Sequence, residues 1–465
     1  MESSDLKLNH LLFRAAFGPT PDLMKRFKGK DLAIVIDALL KDSQVVEELN
    51  YLSKPNTRDD GKVGPFQALF LVLKSQKQKD ELNLAWLDRM AVANAMLREK
   101  MTLFWHNHFA TGTAFAWLMQ VQHNTLRRNA LGSFRTMLHE MAKDPAMIIW
   151  LNNQQNKKNA PNENFAREVM ELFTLGEGNG YTEDDIKNAA RAFTGWSIDQ
   201  TGEYVFNSQQ HDYGQKTVFG KTGDFNGEDI INMLLEKRET AVYICRKLYR
   251  TFVNIEVDED HAQELASRFH RSDYDIADLM KALFNSEWFY ERKNIGAVII
   301  SPTELIVRYK RLCKMVVDDE QMLAMQHALG QKLFSPPNVA GWKGGKTWID
   351  GNSIILRLHI PRAILDAGTA RIQRKPAFEA QDEDKKKDGK NDQVKVKSDW
   401  SAIVKYFKEV PDNQLTKACL DYLMVCPMDH INAAEVEKLT DHSTKERRII
   451  TTICTILQFP ESQLI

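Results

Sequence analysis

The stretch NENFAREVMELFTLGEGNGYTEDDIKNAARAFTGW, residues 162–196, carries the densest local structural signals in the sequence. Glu163, Arg167 and Glu171 are spaced four residues apart, so they line one face of a helix with alternating charges. Apolar side chains cover the remaining faces of the same helix. Gly176 follows them and offers a C-terminal cap. The first half of the stretch therefore predicts a helix that ends at Gly176.

The second half of the stretch predicts a turn and another helix. Gly178 and Gly180 tolerate the positive φ angles that a tight turn requires. Thr182 is a favourable N-cap, and the three acidic residues after it suit the positive end of a helix dipole. This second helix ends before Trp196. Two helices joined by a glycine turn favour a mainly α fold.

Helical periodicity continues on both sides of this stretch. Amphipathic runs occupy residues 84–110, 240–253 and 276–289. Two β-rich segments, EYVFN (203–207) and KTVFG (216–220), predict a hairpin with SQQHDYGQ as its loop. We therefore predict a mainly α, multi-helical globular protein with one small β-hairpin excursion.

The composition changes sharply between residues 368 and 399. The segment EAQDEDKKKDGKNDQVKVK has almost no apolar residues, so it cannot bury enough surface to offset its ordering entropy. We predict a flexible charged insertion or linker there. It separates an N-terminal helical region (1–200) and a hairpin and central helical region (201–367) from a C-terminal helical segment (400–465).

Charge and composition exclude several classes of protein. The net charge of −1 over 465 residues gives no general attraction to nucleic acid, and no apolar run is long enough for membrane insertion. The N-terminus lacks the pattern of a secretory signal, so we expect a cytoplasmic protein or one exported with a partner. The five cysteines are odd in number and lack Cys-x-x-Cys spacing, which predicts free, mostly buried thiols.

Several segments carry a family resemblance. They are residues 8–20 (LNHLLFRAAFGPT), 98–111 (REKMTLFWHNHFAT), 162–196, 211–220 (HDYGQKTVFG), 301–312 (SPTELIVRYKRL), 330–350 (GQKLFSPPNVAGWKGGKTWID) and 459–465 (FPESQLI). Together they resemble a bacterial family known as domain of unknown function 1800. The resemblance implies no settled activity. It does imply a possible partner, because the family often appears beside an exported phosphatase- or sulfatase-like protein.

The segment FWHNHF contributes His106 and His108 as candidate metal ligands, and Asn107 as a candidate ligand-binding amide. Residues two apart on a continuous helix point about 200° apart, so the two histidines cannot share one metal ion without a helix break. The structural alternative is a pair of core histidines, each satisfied by a hydrogen bond. The sequence leaves both interpretations open.

Carboxylates on the helix before Gly176 are candidate catalytic groups. Glu163 and Glu168 are assigned this role, while Asn162 and Arg167 are candidate ligand-binding residues beside them. The alternative is an ionic ladder in which Arg167 holds Glu163 and Glu171, and such exposed pairs stabilise by only about 0.3–0.5 kcal/mol.

Two loops complete the set of candidates. His211 and Asp212 lie on the predicted hairpin loop and are candidate catalytic residues, with a turn stabilised by Asp212 as the alternative. Asn338 and Trp342 lie in a stiff proline-containing loop and are candidate ligand-binding residues. The alternative for that loop is a packed Ω-type loop.

These candidates predict a polar cleft. The leading hypothesis is a metal-assisted hydrolase or ligand-binding protein with carbohydrate as a candidate substrate class. Its candidate cofactor is a divalent metal such as zinc, manganese or iron. The rival hypothesis is a non-catalytic partner or assembly protein of the exported phosphatase- or sulfatase-like protein. The sequence lacks a Gly-x-Ser-x-Gly elbow, a His-Glu-x-x-His helix and a dinucleotide fingerprint, so it identifies no reaction.

Overall fold

A computed structural model describes residues 3–54, 65–113, 115–365, 369–371, 393–426 and 433–465. Within these ranges the protein is mainly α-helical, as predicted, with a few very short antiparallel strand pairs. The first eight helices are α1 (Ser3–Ala16), α2 (Pro21–Phe27), α3 (Leu32–Asp42), α4 (Pro65–Val92), α5 (Met96–His108), α6 (Ala116–Asn129), α7 (Phe134–Ala142) and α8 (Pro145–Trp150). Side-chain caps begin several of them, among them Thr20 before α2 and Asp144 before α8.

The amphipathic run at 84–110 is interrupted. Helix α4 ends at Val92 and α5 begins at Met96, although neither glycine nor proline separates them. Helix α5 is therefore a separate helix, and it lies almost wholly inside the protein. Its polar residues are therefore buried, a result that periodicity alone does not predict.

The decisive stretch folds as the sequence predicts. Helix α9 (Asn164–Met170) continues into a π-helical turn (Glu171–Leu175), which ends at Gly176 with φ +83°. Helix α10 (Glu183–Ala192) begins with a capping box, in which Thr182 and Asp185 bond each other's backbone N–H groups.

The predicted hairpin pairing is wrong, although both β-rich segments contain strands. Strand β1 (Trp196–Ile198) pairs with β2 (Tyr204–Phe206), and β3 (Lys216–Val218) pairs with β4 (Lys221–Gly223). Each segment thus pairs with a strand close to it in sequence, through a shorter loop than the predicted hairpin would need.

Helices also form the central region. They are α11 (Gly227–Glu236), α12 (Arg238–Phe252), α13 (Glu259–Arg271), α14 (Ile276–Asn285), α15 (Pro302–Cys313), α16 (Asp319–Leu329) and α17 (Gly351–Leu365). Helices α12 and α13 pack against each other, and α12 also packs against the π-helical turn. Short 3₁₀ segments occur at Asn153–Gln155, Ser208–Gln210, Glu287–Tyr290, Gly345–Trp348 and Pro460–Gln463.

Both ends of the predicted charged insertion contain strands. Strand β7 (Gln393–Lys397) pairs with β5 (Val316–Val317) on one side and with β6 (Thr369–Arg371) on the other. Val396 is buried, so the end of the segment belongs to the packed protein. Residues 366–368 and 372–392, where most of the predicted insertion falls, lie outside the described residues.

Within its described residues, the predicted C-terminal helical segment forms four helices. They are α18 (Ser401–Phe407), α19 (Asp412–Leu423), α20 (Ala433–Lys438) and α21 (Lys445–Leu457). Buried apolar residues from Leu8 to Ile465 form one contiguous cluster. The buried guanidinium of Arg308 links α15 to this end of the chain by donating to the carbonyl groups of Ser462 and Leu423, both at 2.7 Å.

Two further predictions concern the whole chain. All five cysteines are buried thiols outside any disulfide, as predicted. Among the helices whose residues have described positions, none is both long enough and apolar enough to cross a membrane.

Candidate functional site

His106 lies in the core near the end of α5. Its Nε2 accepts a hydrogen bond from the backbone N–H of Phe334 at 3.1 Å. Its ring packs edge-on against Trp86 and Phe334. Burial lowers the pKa of His106 to about 3, so the imidazole is neutral.

His108 has a different environment, at the last position of α5. Its Nε2 lies 3.2 Å from the carbonyl oxygen of Phe173, and its Nδ1 lies 2.8 Å from the amine nitrogen of Lys247. Because a carbonyl only accepts, Nε2 carries the proton and Nδ1 accepts from Lys247. Burial, with Lys247 as a second cause, holds the pKa of His108 well below its usual value. In this arrangement neither ring nitrogen has a lone pair left for a metal ion.

The carbonyl that orients His108 belongs to the π-helical turn. Phe173 lies near the end of this helical segment, where backbone carbonyls lack intrahelical partners. The turn thus supplies an acceptor that fixes the tautomer of His108. Glycine at position 176 lets the chain leave the turn against α12, because a Cβ there would lie 2.8 Å from the ring of Tyr243.

Lys247 is a partly exposed residue of α12 with an unusual set of neighbours. Its amine contacts the His108 ring and lies 5.4 Å from the centre of the Tyr243 ring. No carboxylate of the described residues forms an ion pair with it. Burial of the amine, reinforced by the charge of Arg250, lowers the pKa of Lys247 to about 8.

Tyr243, Lys247 and Arg250 share one face of α12 because they are spaced by four and three residues. Burial raises the pKa of Tyr243 to about 12, so its hydroxyl stays protonated. Arg250 is exposed and forms no ion pair within the described part of the chain. Together with His108, these three residues make up what we call the amine site.

The predicted carboxylate cluster on α9 forms an ionic ladder. Arg167 bonds Glu163 at 3.5 Å, Glu171 at 3.2 Å and Glu183 at 2.7 Å. Glu168 lies on the same helix and is partly buried, and burial together with Glu171 raises its pKa.

Asn162 serves the start of the same helix. Its side-chain oxygen accepts from the backbone N–H of Asn164 at 3.0 Å, and the backbone N–H of Asn162 donates to the side-chain oxygen of Asn156 at 2.9 Å. This amide therefore shapes the turn that leads into α9.

His211 and Asp212 are held by α10 and the residues after it. The Nδ1 of His211 lies 2.8 Å from the carbonyl oxygen of Thr194, and its ring is buried between Phe206 and Tyr213. Asp212 forms a two-point ion pair with Arg191, which lowers the pKa of this carboxyl group. Both side chains stabilise the loop between β2 and β3.

The proline-containing loop is fastened to α5 by Asn107. Its side chain accepts from the backbone N–H of Trp342 at 2.7 Å and donates to the carbonyl of the same residue at 3.1 Å. Gly341 lies so close that a Cβ there would be 2.3 Å from the Asn107 oxygen. Trp342 is buried, and Asn338 accepts from the N–H of Ala340 in a local turn.

The structure brings some of the predicted residues together and leaves others apart. Asn107 meets Trp342, and Arg167 meets Glu163, as hydrogen-bonded or ionic pairs. No three His, Cys, Asp or Glu side chains of the described residues lie close enough together to hold a metal ion. This result covers the histidines and carboxylates of all the predicted segments.

Sequence reasoning missed Lys247, Tyr243 and Arg250. The run TAVYICRKLYRTFV contains their spacing, but cationic residues at such positions are ordinary on an exposed helix face. Only contact with His108, 139 residues away in sequence, distinguishes Lys247 from them.

Comparisons with known proteins agree with the resemblance seen in the sequence. No curated protein and no solved structure matches the chain. A family model described as protein of unknown function, DUF1800, matches residues 10–464, and the chain therefore belongs to this family.

Proposed function

We propose that the protein binds a small anionic ligand at the amine site. The observation that carries this proposal is the ammonium group of Lys247, which is set among apolar and aromatic groups and meets a neutral imidazole instead of a carboxylate. A charge in such surroundings is normally paired, because leaving water costs several kcal/mol unless a partner compensates. A carboxylate, phosphate or sulfate group would supply the missing partner.

Among the buried lysines, Lys100 and Lys216 provide an internal comparison. Lys100 pairs with Glu304, and Lys216 pairs with Asp224 at 3.0 Å. Both therefore meet a carboxylate of the chain itself, as structural lysines do. Lys247 differs from them, and its neighbour Arg250 adds a second cation with no ion pair in the described residues. The local excess of positive charge favours a negatively charged ligand over a neutral sugar.

A cavity also lies along α12, the helix that carries Lys247. A cavity of about 220 Å³ lies on the neighbouring face of α12, with Leu175, Val242 and Arg246 in its wall. Val242 and Arg246 precede Tyr243 and Lys247 directly, so the cavity and the amine flank the same turns of α12.

The proposal is tested by thermal unfolding with sodium phosphate, sodium sulfate and sodium acetate at constant ionic strength. A ligand at a hundred times its Kd stabilises the native state by about 2.7 kcal/mol, so we expect a clear rise in Tm with at least one of these anions. Sulfate and phosphate also stabilise proteins by exclusion from the surface, which makes a variant control necessary.

The control variants are Lys247→Met and Lys187→Met. Lys187 is an exposed residue of α10 paired with Asp184, so its loss should leave the anion response intact. Lys247→Met should lose the response and should itself unfold at the same or a higher temperature, because it removes an uncompensated charge. An equal response in the wild type and Lys247→Met would contradict the proposal.

Other functions predicted from the sequence stay predictions. Metal-assisted hydrolysis is tested by metal analysis of the purified protein, and carbohydrate binding by titration with simple sugars. The role as a partner of an exported phosphatase- or sulfatase-like protein is tested by co-purification of the two proteins.

A further inference from the structure

We propose that Lys247 is a carbonyl-reactive amine, which forms an imine with an aldehyde or ketone group of a small ligand while Arg250 holds the anionic group of that ligand. This inference rests on the proposed function, because it names the chemical class of the anionic ligand. A short 2-oxo acid has the required pair of groups, since its carbonyl and its carboxylate are adjacent.

The position of the amine supports a reactive role. One N–H of Lys247 is fixed on His108 Nδ1 at 2.8 Å, and His108 is itself fixed by the carbonyl of Phe173. The amine is therefore oriented without being neutralised by a carboxylate. A carboxylate would stabilise the ammonium form of Lys247, which cannot attack a carbonyl. A neutral imidazole carries no charge, so it does not stabilise the ammonium form in this way.

The surroundings of the Lys247 amine also favour its neutral, reactive form. Burial and the positive charge of Arg250 both disfavour the ammonium form, and they lower the pKa of Lys247 to about 8. Desolvation and a neighbouring cation are the two established means of activating a lysine nucleophile. At pH 7 the neutral fraction is then roughly two-hundredfold larger than for a lysine of ordinary pKa near 10.4.

The proposed step is balanced without an oxidant or reductant. The ammonium group first releases a proton to solvent, and the nitrogen lone pair attacks the carbonyl carbon as the carbon–oxygen π bond breaks. Proton transfer from nitrogen to oxygen gives a carbinolamine. Loss of water then gives the imine, and hydrolysis returns the same amine and carbonyl compound. His108 is a positioning residue in this scheme, since it orients the amine.

Arg250 determines which carbonyl compound is preferred. It lies one helical turn beyond Lys247 on the same face of α12, and its guanidinium can bind a carboxylate at two points. The ring of Tyr243 borders the amine on the other side. An anionic carbonyl compound should therefore react faster than an uncharged one of similar size.

The test uses the full chain, glyoxylate as the anionic probe and acetaldehyde as the uncharged probe. Each is added at limiting concentration with sodium cyanoborohydride, which converts an imine into a stable secondary amine. Peptide mapping by mass spectrometry then gives the rate of modification at Lys247 and at the exposed reference Lys187. We expect Lys247 to react with glyoxylate roughly tenfold faster than Lys187, or more.

Variants assign the roles. Arg250→Gln should slow glyoxylate modification of Lys247 severalfold and acetaldehyde modification by a smaller factor. The variant loses the charge that helps to lower the pKa of Lys247, which affects both probes, and it loses the carboxylate contact, which affects glyoxylate alone. His108→Asn should reduce the rate with both probes, because the amine loses its orientation, and circular dichroism checks that this variant folds. If Lys247 reacts no faster than Lys187 in the folded wild type, the inference is overturned. Retention of a Lys247-dependent anion response would then leave the proposed function standing, whereas loss of both would remove the two together.

Discussion

Substitution of Gly176 tests the junction between the π-helical turn and the amine site. Gly176 has φ +83° and ψ 153°, a combination that only glycine adopts readily. An alanine in that region is strained by about 1–3 kcal/mol. Its Cβ would also lie 2.8 Å from the Tyr243 ring and 3.0 Å from the Asn179 side chain. Forcing a methyl group into packed surroundings costs a further 1–3 kcal/mol or so, which gives a total of roughly 2–6 kcal/mol.

Two neighbouring glycines separate backbone strain from packing. Gly178 has φ +75° with no atom within 4 Å of the added Cβ, and Gly180 has φ +72° with only the flexible amine of Lys237 at 3.9 Å. Alanine at either position should therefore cost about 1–2 kcal/mol, the strain of the left-handed conformation alone. The expected order of destabilisation places Gly176→Ala well above the other two substitutions.

Guanidinium chloride titration of the three variants provides the measurement. The free energies of unfolding are compared with the same slope against denaturant concentration, the m value, in each variant. A double variant, Gly176→Ala with Tyr243→Ala, should cost less than the sum of its single changes, because the clashing ring is gone. Equal destabilisation at positions 176 and 178 would show that the Tyr243 ring moves aside freely. The reasoning about a tightly packed junction would then be refuted.

Three further predictions concern candidate residues and one buried acid. Asp144 is buried, and burial raises its pKa to about 7, so the native state holds this proton more tightly than the unfolded chain does. The free energy of unfolding should therefore fall by up to about 4 kcal/mol as the pH rises from about 4 through 7. Asp144→Asn should remove most of this slope in denaturant titrations at several pH values, and an unchanged slope would assign it to other groups. His106→Ala should lower the free energy of unfolding by about 2–4 kcal/mol, because it opens a cavity beside Trp86 and leaves the N–H of Phe334 unpaired. An unchanged free energy of unfolding would mean that the core repacks to fill the space. Glu163→Gln should change stability by less than about 0.5 kcal/mol, since its ion pair with Arg167 is partly exposed and long, and a larger loss by thermal unfolding would reveal a contribution beyond this pair.

Local signals in the sequence predict much of the helical architecture. The cap at Thr182, the end at Gly176 and the ladder along α9 each involve residues no more than four positions apart. Such interactions are present in any helix of that sequence, so they can be recognised without knowledge of the fold.

Strand pairing was harder to predict from the sequence. The segments at 203–207 and 216–220 both form strands, but each pairs with a neighbour that has no clear β signal of its own. Strand β7 lies within a segment whose charge indicates a linker, yet Val396 is buried against the protein. Such strand pairs depend on which strand edges and apolar surfaces the other parts of the chain place beside them.

The candidate residues likewise combine features visible in the sequence with contacts that only the fold creates. The polar groups of FWHNHF and of the loops at 211–212 and 338–342 can be identified from the sequence alone. Their hydrogen bonds to Phe334, Thr194 and Trp342 come from distant parts of the chain.

By itself, the sequence determined the helical class, the capped corner at residues 162–196, the free buried thiols and the family. Only the tertiary structure decided that Lys247 meets His108 and lacks a carboxylate partner in the described residues. The physical reason is the range of the interactions. Helix caps and ladders depend on neighbours within one or two turns, whereas the charge state of a buried amine depends on every group that packing brings around it.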